Sequence, residues 1–270
     1  MKIPNLGSRK NRILLKELVK TDFKLRYQGS LLGYLWAVLR PMMLFAILYV
    51  VFAKILKMGS DIPHYPVYLL AGTVLWSFFS ECTNQGIQAI VARGDLLRKI
   101  SFPKWIIVVS ATVTALINFL INLGVVIIFA IINGVTPNLG WLLVPFIILE
   151  LYLLSLGISF FLGAINVKYR DISSIWEVFM QALFYAVPVI YPITMVASAS
   201  PLAAKIFLLN PIAQVIQDVR YFLITDQTIT TWNYLENRLL YLIPLGLVSL
   251  VIILGGFYFR KRSKYFAEEA

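Results

Sequence analysis

Groups able to do chemistry are few in this chain and widely scattered. A single cysteine, Cys82, and a single histidine, His64, allow neither an intrachain disulfide nor a Cys/His metal cluster. Cys82 reads as a small apolar filler and His64 as a loop residue. No GxxxxGKS/T, HExxH, GxSxG or CxxC sequence occurs, so the chain cannot cradle a nucleoside triphosphate by itself. Any energised work needs a motor on another polypeptide. What remains is charge in apolar surroundings. Glu81 and Glu150 fall within apolar runs, where an unpaired carboxylate is costly. Each is either a functional group or a structural one facing a wet cavity or a partner. Arg26, Arg40 and Arg170 have the chemistry to bind an anionic group, and equally to snorkel to lipid phosphates. Trp76, Tyr185 and Tyr191, with Trp36, Phe79 and Phe184, offer flat faces for stacking, although aromatics also form interface belts in membrane proteins.

The elements that position these groups follow from composition. Of the 270 residues, 60% are hydrophobic and 14% charged, and the mean hydropathy of +0.81 is too high for a soluble domain of this length. The expected fold is an all-α integral membrane protein. A net charge of +11 would favour nucleic acid in a soluble protein, but here the cations sit at the ends of apolar runs, so no nucleic-acid partner is expected. Six runs have spanning length: 31–53, 66–86, 105–132, 141–167, 175–195 and 239–259. An even number puts both termini on one side. Basic residues decide which side. Lys2, Arg9, Lys10, Arg12, Lys16, Lys20, Lys24 and Arg26 precede the first run, Arg93, Arg98, Lys99 and Lys104 follow the second, Lys168 and Arg170 the fourth, and Arg260, Lys261, Arg262 and Lys264 the sixth. The opposite loops hold only Lys54, Lys57, Lys205, Arg220 and Arg238, so both termini are expected in the cytoplasm.

Residues 1–30 form a cytoplasmic amphipathic segment. On a helix, Leu15, Leu18, Val19, Phe23 and Leu25 share one face while Lys16, Lys20 and Lys24 form a cationic stripe, as in a helix lying in a membrane interface. Asp22 and Arg26, four apart with the acid first, can pair with each other. Gln28, Gly29 and Ser30 bend the chain into a transmembrane domain over 31–270. Within it, residues 87–104 form a short basic segment whose apolar residues, Ile87, Ile90, Val91, Leu96 and Leu97, have no evident partner in the chain. Pro103 is expected in the first turn of the third span. The fifth run is broken by Pro188 and Pro192, whose freed carbonyls need neighbouring protein or water. Residues 196–238 are too long for a structureless loop. Two short helices are predicted there, the second capped by Asn210 with Pro211 in its first turn, re-entrant from outside, with Gln214, Gln217 and Asp218 bordering an exit.

Several motifs run in order along nearly the whole chain: RYxxSxLGxLWxxLxP from Arg26 to Pro41, LLRKISFP from Leu96 to Pro103, YRDI from Tyr169 to Ile172, then Pro188, Tyr191 and Pro192, then Asn210 and Pro211. Together they resemble the membrane subunits of type-2 ATP-binding-cassette exporters of polysaccharide, O-antigen and teichoic acid. Arg40, directly before Pro41, stands outside that pattern. The six transmembrane helices expected from the apolar runs would then, as the resemblance implies, make a half-transporter that pairs with a second copy and with two ATP-binding-cassette ATPase subunits, which would bind the ATP and Mg. This chain would hold no cofactor and have no catalytic residue. The implied cargo is a glycan on a polyprenyl diphosphate lipid, crossing a bacterial cytoplasmic membrane. Coupling to the ATPase would run through Asp95, Leu96, Leu97, Arg98, Lys99, Phe102 and Pro103, and the pathway would involve Arg26, Arg40, Trp76, Arg170, Tyr185 and Tyr191. Export of a lipid or drug by the same fold is an alternative. A subunit of an intramembrane glycan-processing enzyme is another, but Asp95 and Asp171 stand alone and no DxD or DD pair occurs. A passive channel or secondary transporter would more often carry internal repeats, and none is evident.

Overall fold

The computed structural model describes residues 9–28, 32–59, 62–100, 102–235 and 238–269. Ser30, at the expected domain boundary, and Lys2 lie outside these residues. Among them the chain is helical with no strand. The helices are α1 (Arg9–Tyr27), α2 (Trp36–Leu48), α3 (Tyr65–Gln88), α4 (Gly94–Lys99), α5 (Trp105–Ile132), α6 (Val144–Asn166), α7 (Ile172–Ala186), α8 (Ile193–Ala199), α9 (Pro201–Leu208), α10 (Pro211–Leu223), α11 (Thr231–Tyr234), α12 (Leu242–Arg262) and α13 (Phe266–Glu269). Turns of tighter or wider helix extend α2, α6 and α12, giving continuous stretches Gly33–Ile55, Leu139–Asn166 and Leu239–Arg262.

Those three stretches and α5 are long and apolar enough to cross a membrane, and α9 with α10, bent by 92°, would make a fifth if counted as one span. The first, third, fourth and sixth expected runs are thus matched. The other two differ for physical reasons. Helix α7 has only 15 residues before the chain breaks. Helix α3 has 24 residues but carries Glu81, Asn84, Gln85 and Gln88. It tolerates them because it is the innermost helix, packed against α2, α5, α6, α7 and α10, and much of its surface never meets lipid.

Close packing is built from small residues. A Cβ at Gly255 of α12 would stand 2.2 Å from the carbonyl oxygen of Gly157 in α6, and one at Gly157 would stand 2.8 Å from the Cα of Ile252. Backbone therefore rests on backbone, the approach that small residues permit between membrane helices. At the other extreme is the stretch Gly33–Ile55, which is scarcely buried at all, so that Met43, Ile47 and Val50 face outward.

Each proline break is met by a polar side chain from elsewhere. Pro41 lies inside α2 and has no N–H, which frees the carbonyl four residues earlier. Asn122 Nδ2 of α5 donates to that oxygen, Ala37 O, at 3.0 Å. At the expected break between Pro188 and Pro192 the helix indeed ends, and its carbonyls go to Arg220, whose side chain is fully buried. Arg220 Nη1 donates to Pro188 O at 2.7 Å and to Gln217 Oε1 at 2.8 Å, Nη2 to Val189 O at 2.6 Å, and Nε to Tyr68 O at 3.1 Å. The guanidinium also stacks over the Tyr68 ring, 3.6 Å from its centroid. Tyr65 hydroxyl donates to Ile190 O at 3.1 Å. Gly72 makes room, since a Cβ there would meet Arg220 Nη2 at 2.3 Å.

Both short helices expected after the break exist. Asn210 caps α10, its side chain accepting from Ile212 N at 3.0 Å with Pro211 following. The polar face of α10 is a correction. Gln214, Gln217 and Asp218 are buried, at 0, 0 and 1% exposure, so they do not border an opening. The helix is enclosed on both faces, and its polar side chains find acceptors and donors on α3, α6 and Tyr241.

Arg220→Lys would keep the charge but lose the planar fork, stranding buried carbonyls. It should lower stability by about 2–4 kcal/mol. Thermal unfolding in detergent measures this, and an unchanged midpoint would contradict the role of Arg220 as the anchor of the break.

Candidate functional site

The polar residues of α3 recur every three or four positions, so they form one sector of the helix. Two concavities share it. The first, of about 260 Å³, lies between α1, α2, α3 and α5 and is lined by Arg26, Trp36, Arg40, Ser77, Glu81, Asn118 and Asn122 among others. Glu81 is the centre of charge there. It forms an ion pair with Arg26 and accepts from Gln85 Nε2 at 2.9 Å and Asn118 Nδ2 at 2.8 Å, all on Oε1. Its charge is balanced within the chain by Arg26.

Asp22 pairs instead with Arg93, whose Nη1 also donates to Ser110 Oγ at 2.9 Å. The expected local pair of Asp22 and Arg26 is therefore replaced by two long-range pairs. Both partners gain more from cations and carboxylates held on the rigid bundle than from an exposed bond along one helix, which is worth only about 0.2–0.5 kcal/mol. These pairs seat α1 against α3 and α5.

The second concavity is a groove of about 470 Å³ between α3 and α7. Trp76, Ser80 and Asn84 line one wall and Glu177, Gln181 and Tyr185 the other, with Met180 and Phe184 between. On both helices the wall residues are four apart, which stacks them in a ladder along the axis. Trp76 and Phe184 meet edge-on at 5.5 Å between ring centroids. Tyr185 is exposed on the outer side of α7, beside Ile175, Val178 and Phe179.

Arg26, Arg40 and Trp36 thus come together in the first cavity, and Trp76 and Tyr185 in the groove. Tyr191, in the break, donates its hydroxyl to Tyr185 O at 2.9 Å. Arg170 is exposed in the turn before α7, apart from the other two arginines. Ser80, Asn84, Asn118, Asn122, Glu177 and Gln181 were not singled out from the sequence, although polar residues repeating at four-residue spacing in apolar helices are a readable sign. Cys82 is buried, and His64 holds a left-handed φ of 56° just before α3.

On the basic segment, Asp95, Arg98 and Lys99 are exposed and Leu96, Phe102 and Pro103 half-buried. Leu97 is a second correction: it is 3% exposed, packed in a cluster with Ile90, Ile107, Phe259 and Phe266. Its partner is the C-terminal helix α13, held by a two-pronged contact of Arg262 Nη2 with Glu269 at 2.8 and 2.9 Å. Pro103 lies one residue before the cap Lys104 rather than inside the first turn of α5.

In this helical membrane protein the innermost helix turns its polar sector toward two surface concavities. Residues 13–224 match the ABC-2 type transporter family, and the chain belongs to it. It is 28% identical over 256 residues, 94% of each chain, to the O-antigen export system permease protein RfbA of Klebsiella pneumoniae. The identity with the protein of that name in Myxococcus xanthus is 32% over 200 residues, 74% of this chain and 76% of the relative. The polysialic acid transport protein KpsM of Escherichia coli is 24% identical over 196 residues, 69% of this chain and 73% of the relative.

Glu81→Ala takes the shared acceptor from Arg26, Gln85 and Asn118, whereas Arg26→Ala leaves Glu81 two donors. The first should cost more, by about 1 kcal/mol or 2–4 °C in the unfolding midpoint. The reverse order would remove Glu81 from the centre of this network.

Proposed function

We propose that this chain is the membrane-spanning half of an ATP-driven exporter that moves a polyprenyl-diphosphate-linked polysaccharide across the bacterial cytoplasmic membrane. Similarity over 94% of its length to an O-antigen export permease carries this reading. The groove adds to it. Polar rungs beside aromatic faces suit a sugar chain, which needs hydrogen bonds along its rim and stacking against its rings. The groove is open, and the exposed apolar faces of α2 and α7 beside it fit a second copy that completes the wall.

In this reading the stretch Gly33–Ile55, α3, α5, the stretch Leu139–Asn166, α7 with the broken segment after it, and the stretch Leu239–Arg262 make six crossings, with α9 and α10 re-entrant from outside. Both termini are cytoplasmic. Arg40 and Arg170 meet the diphosphate at the inner mouth, and Arg26, tied to Glu81, shapes the cavity beside them. Two ATPase subunits bind ATP and Mg and dock below on Asp95, Leu96, Arg98, Lys99, Phe102 and Pro103, while Leu97 holds that surface from within. Export of another lipid or of a drug is the alternative, and it would make less use of the polar ladder.

Asn84→Leu with Gln181→Leu should leave assembly with the ATPase intact yet cut export at least about tenfold, as expected when about 1.4 kcal/mol of favourable interaction along the path is lost. Accumulated lipid-linked glycan inside the cell, identified by mass spectrometry, is the readout. Unchanged export removes the groove from the pathway.

Orientation and docking can be tested together in a Cys82→Ala background. An impermeant thiol reagent applied to intact cells should label Asn138→Cys and Asp226→Cys and spare Arg98→Cys. In inside-out vesicles Arg98→Cys should label, and bound ATPase should protect it. Labelling of Arg98→Cys from outside overturns the orientation, and labelling indifferent to the ATPase overturns the docking surface.

A further inference from the structure

Where α10 crosses α6 and the turn before α12, two carboxylates share one amide. Gln214 Nε2 donates to Asp218 Oδ2 at 2.7 Å and to Glu150 Oε2 at 3.5 Å, and the Tyr241 hydroxyl donates to the same Asp218 oxygen at 3.4 Å. Every donor goes to one oxygen of each acid. The others, Glu150 Oε1 and Asp218 Oδ1, are buried without a partner, and so is Gln214 Oε1. Gln214 and Asp218 are 0 and 1% exposed. Reversing the Gln214 amide would set its oxygen against two carboxylate oxygens, so the arrangement is fixed by its neighbours.

Three buried acceptors on neighbouring side chains therefore lack a donor. Nearby charge does not supply it. Arg220, two residues along α10, is engaged with Tyr68, Pro188, Val189 and Gln217. From α3, the hydroxyls of Tyr65 and Tyr68 go to Ile190 O and to Gln217. The turn Leu139–Leu143 has no titratable side chain. Lys205 of α9 and Tyr234 of α11 are absent from the lining of the cavity, of about 430 Å³, that opens beside Glu150 and Tyr241. Among the described residues no third carboxylate, His or Cys joins the pair to favour a multivalent metal.

We infer that Glu150, Gln214, Asp218 and Tyr241 form a binding site for one small singly charged cation, a proton or an alkali metal ion. A proton on Asp218 Oδ1 would donate to Gln214 Oε1 and, with the Nε2 to Oδ2 bond already present, close a ring that pairs two of the three open oxygens. An alkali ion would use these hard oxygen ligands directly. Because the four residues lie on α6, on α10 and at the start of α12, the bound cation fastens α10 to the bundle. A ligand held by the folded chain and not by the unfolded one stabilises the fold.

The test is thermal unfolding of the detergent-purified full chain, in sodium, potassium or N-methylglucamine chloride at fixed ionic strength, each across a pH series. If an alkali ion is bound, sodium or potassium should raise the midpoint by about 3 °C over N-methylglucamine. If a proton is bound, the midpoint should be indifferent to the salt and fall by a similar amount as pH rises, since the folded chain then loses a proton it held more tightly than the unfolded chain. Asp218→Asn supplies the missing donor to Gln214 Oε1 and should flatten whichever response wild type shows. Glu150→Gln serves the same purpose should that variant fail to fold. A wild-type response to neither salt nor pH, or one that survives in a folded variant, overturns the site.

Discussion

Backbone hydrogen bonding in an apolar medium is the constraint from which this architecture follows. A helix crossing lipid satisfies its own peptide groups, and a break in it does not. The chain breaks between α7 and α8, and the carbonyls released at Pro188 and Val189 are taken by one guanidinium, Arg220. That side chain reaches them only because α10 lies inside the bundle and Gly72 leaves α3 without a side chain in its way. Pro41 and Asn122 repeat the solution at smaller scale. Arg220 also explains why α10 is buried on every face. A helix that carries such a fork must sit within reach of the break and be shielded from lipid itself.

Much of the fold was legible because lipid imposes a one-dimensional rule. The apolar runs found α5 to the residue, the prolines marked the break, and Asn210 with Pro211 marked the start of α10. What sequence could not supply is the identity of tertiary partners. The spacing of Asp22 and Arg26 allowed a local pair, yet each took a partner far along the chain, Arg93 and Glu81. Leu97 looked free because its cover, Phe266, comes from the far end of the chain. The polar face of α10 looked like a wet surface because a stripe of Gln and Asp reads identically whether it meets water or a buried acceptor.

The candidate site was half legible for a related reason. Arginines and aromatics attract attention as single residues, and Arg26, Arg40, Trp76 and Tyr185 do line the two concavities. Ser80, Asn84, Glu177 and Gln181 are ordinary singly and become a surface only when two helices stand side by side. α3 is enclosed enough to carry a polar sector that a lipid-facing helix could not. The sector is continuous from Ser77 to Gln85, so the ion-paired cavity and the groove are neighbouring sides of one post.

The glycine contact between α6 and α12 bears on how such a molecule can deform. Side-chain packing yields by changing rotamers, but a backbone resting on a backbone offers nothing to rotate, and the approach of Gly255 to the Gly157 carbonyl leaves no slack for sliding. Those two helices are mechanically stiff relative to each other. The stretch Gly33–Ile55 and α7, whose outer faces are largely uncovered, are held by far less. Compliance is therefore concentrated on the two elements that flank the polar sector of α3, and a passage beside it would widen by displacing them while α6 and α12 keep their spacing.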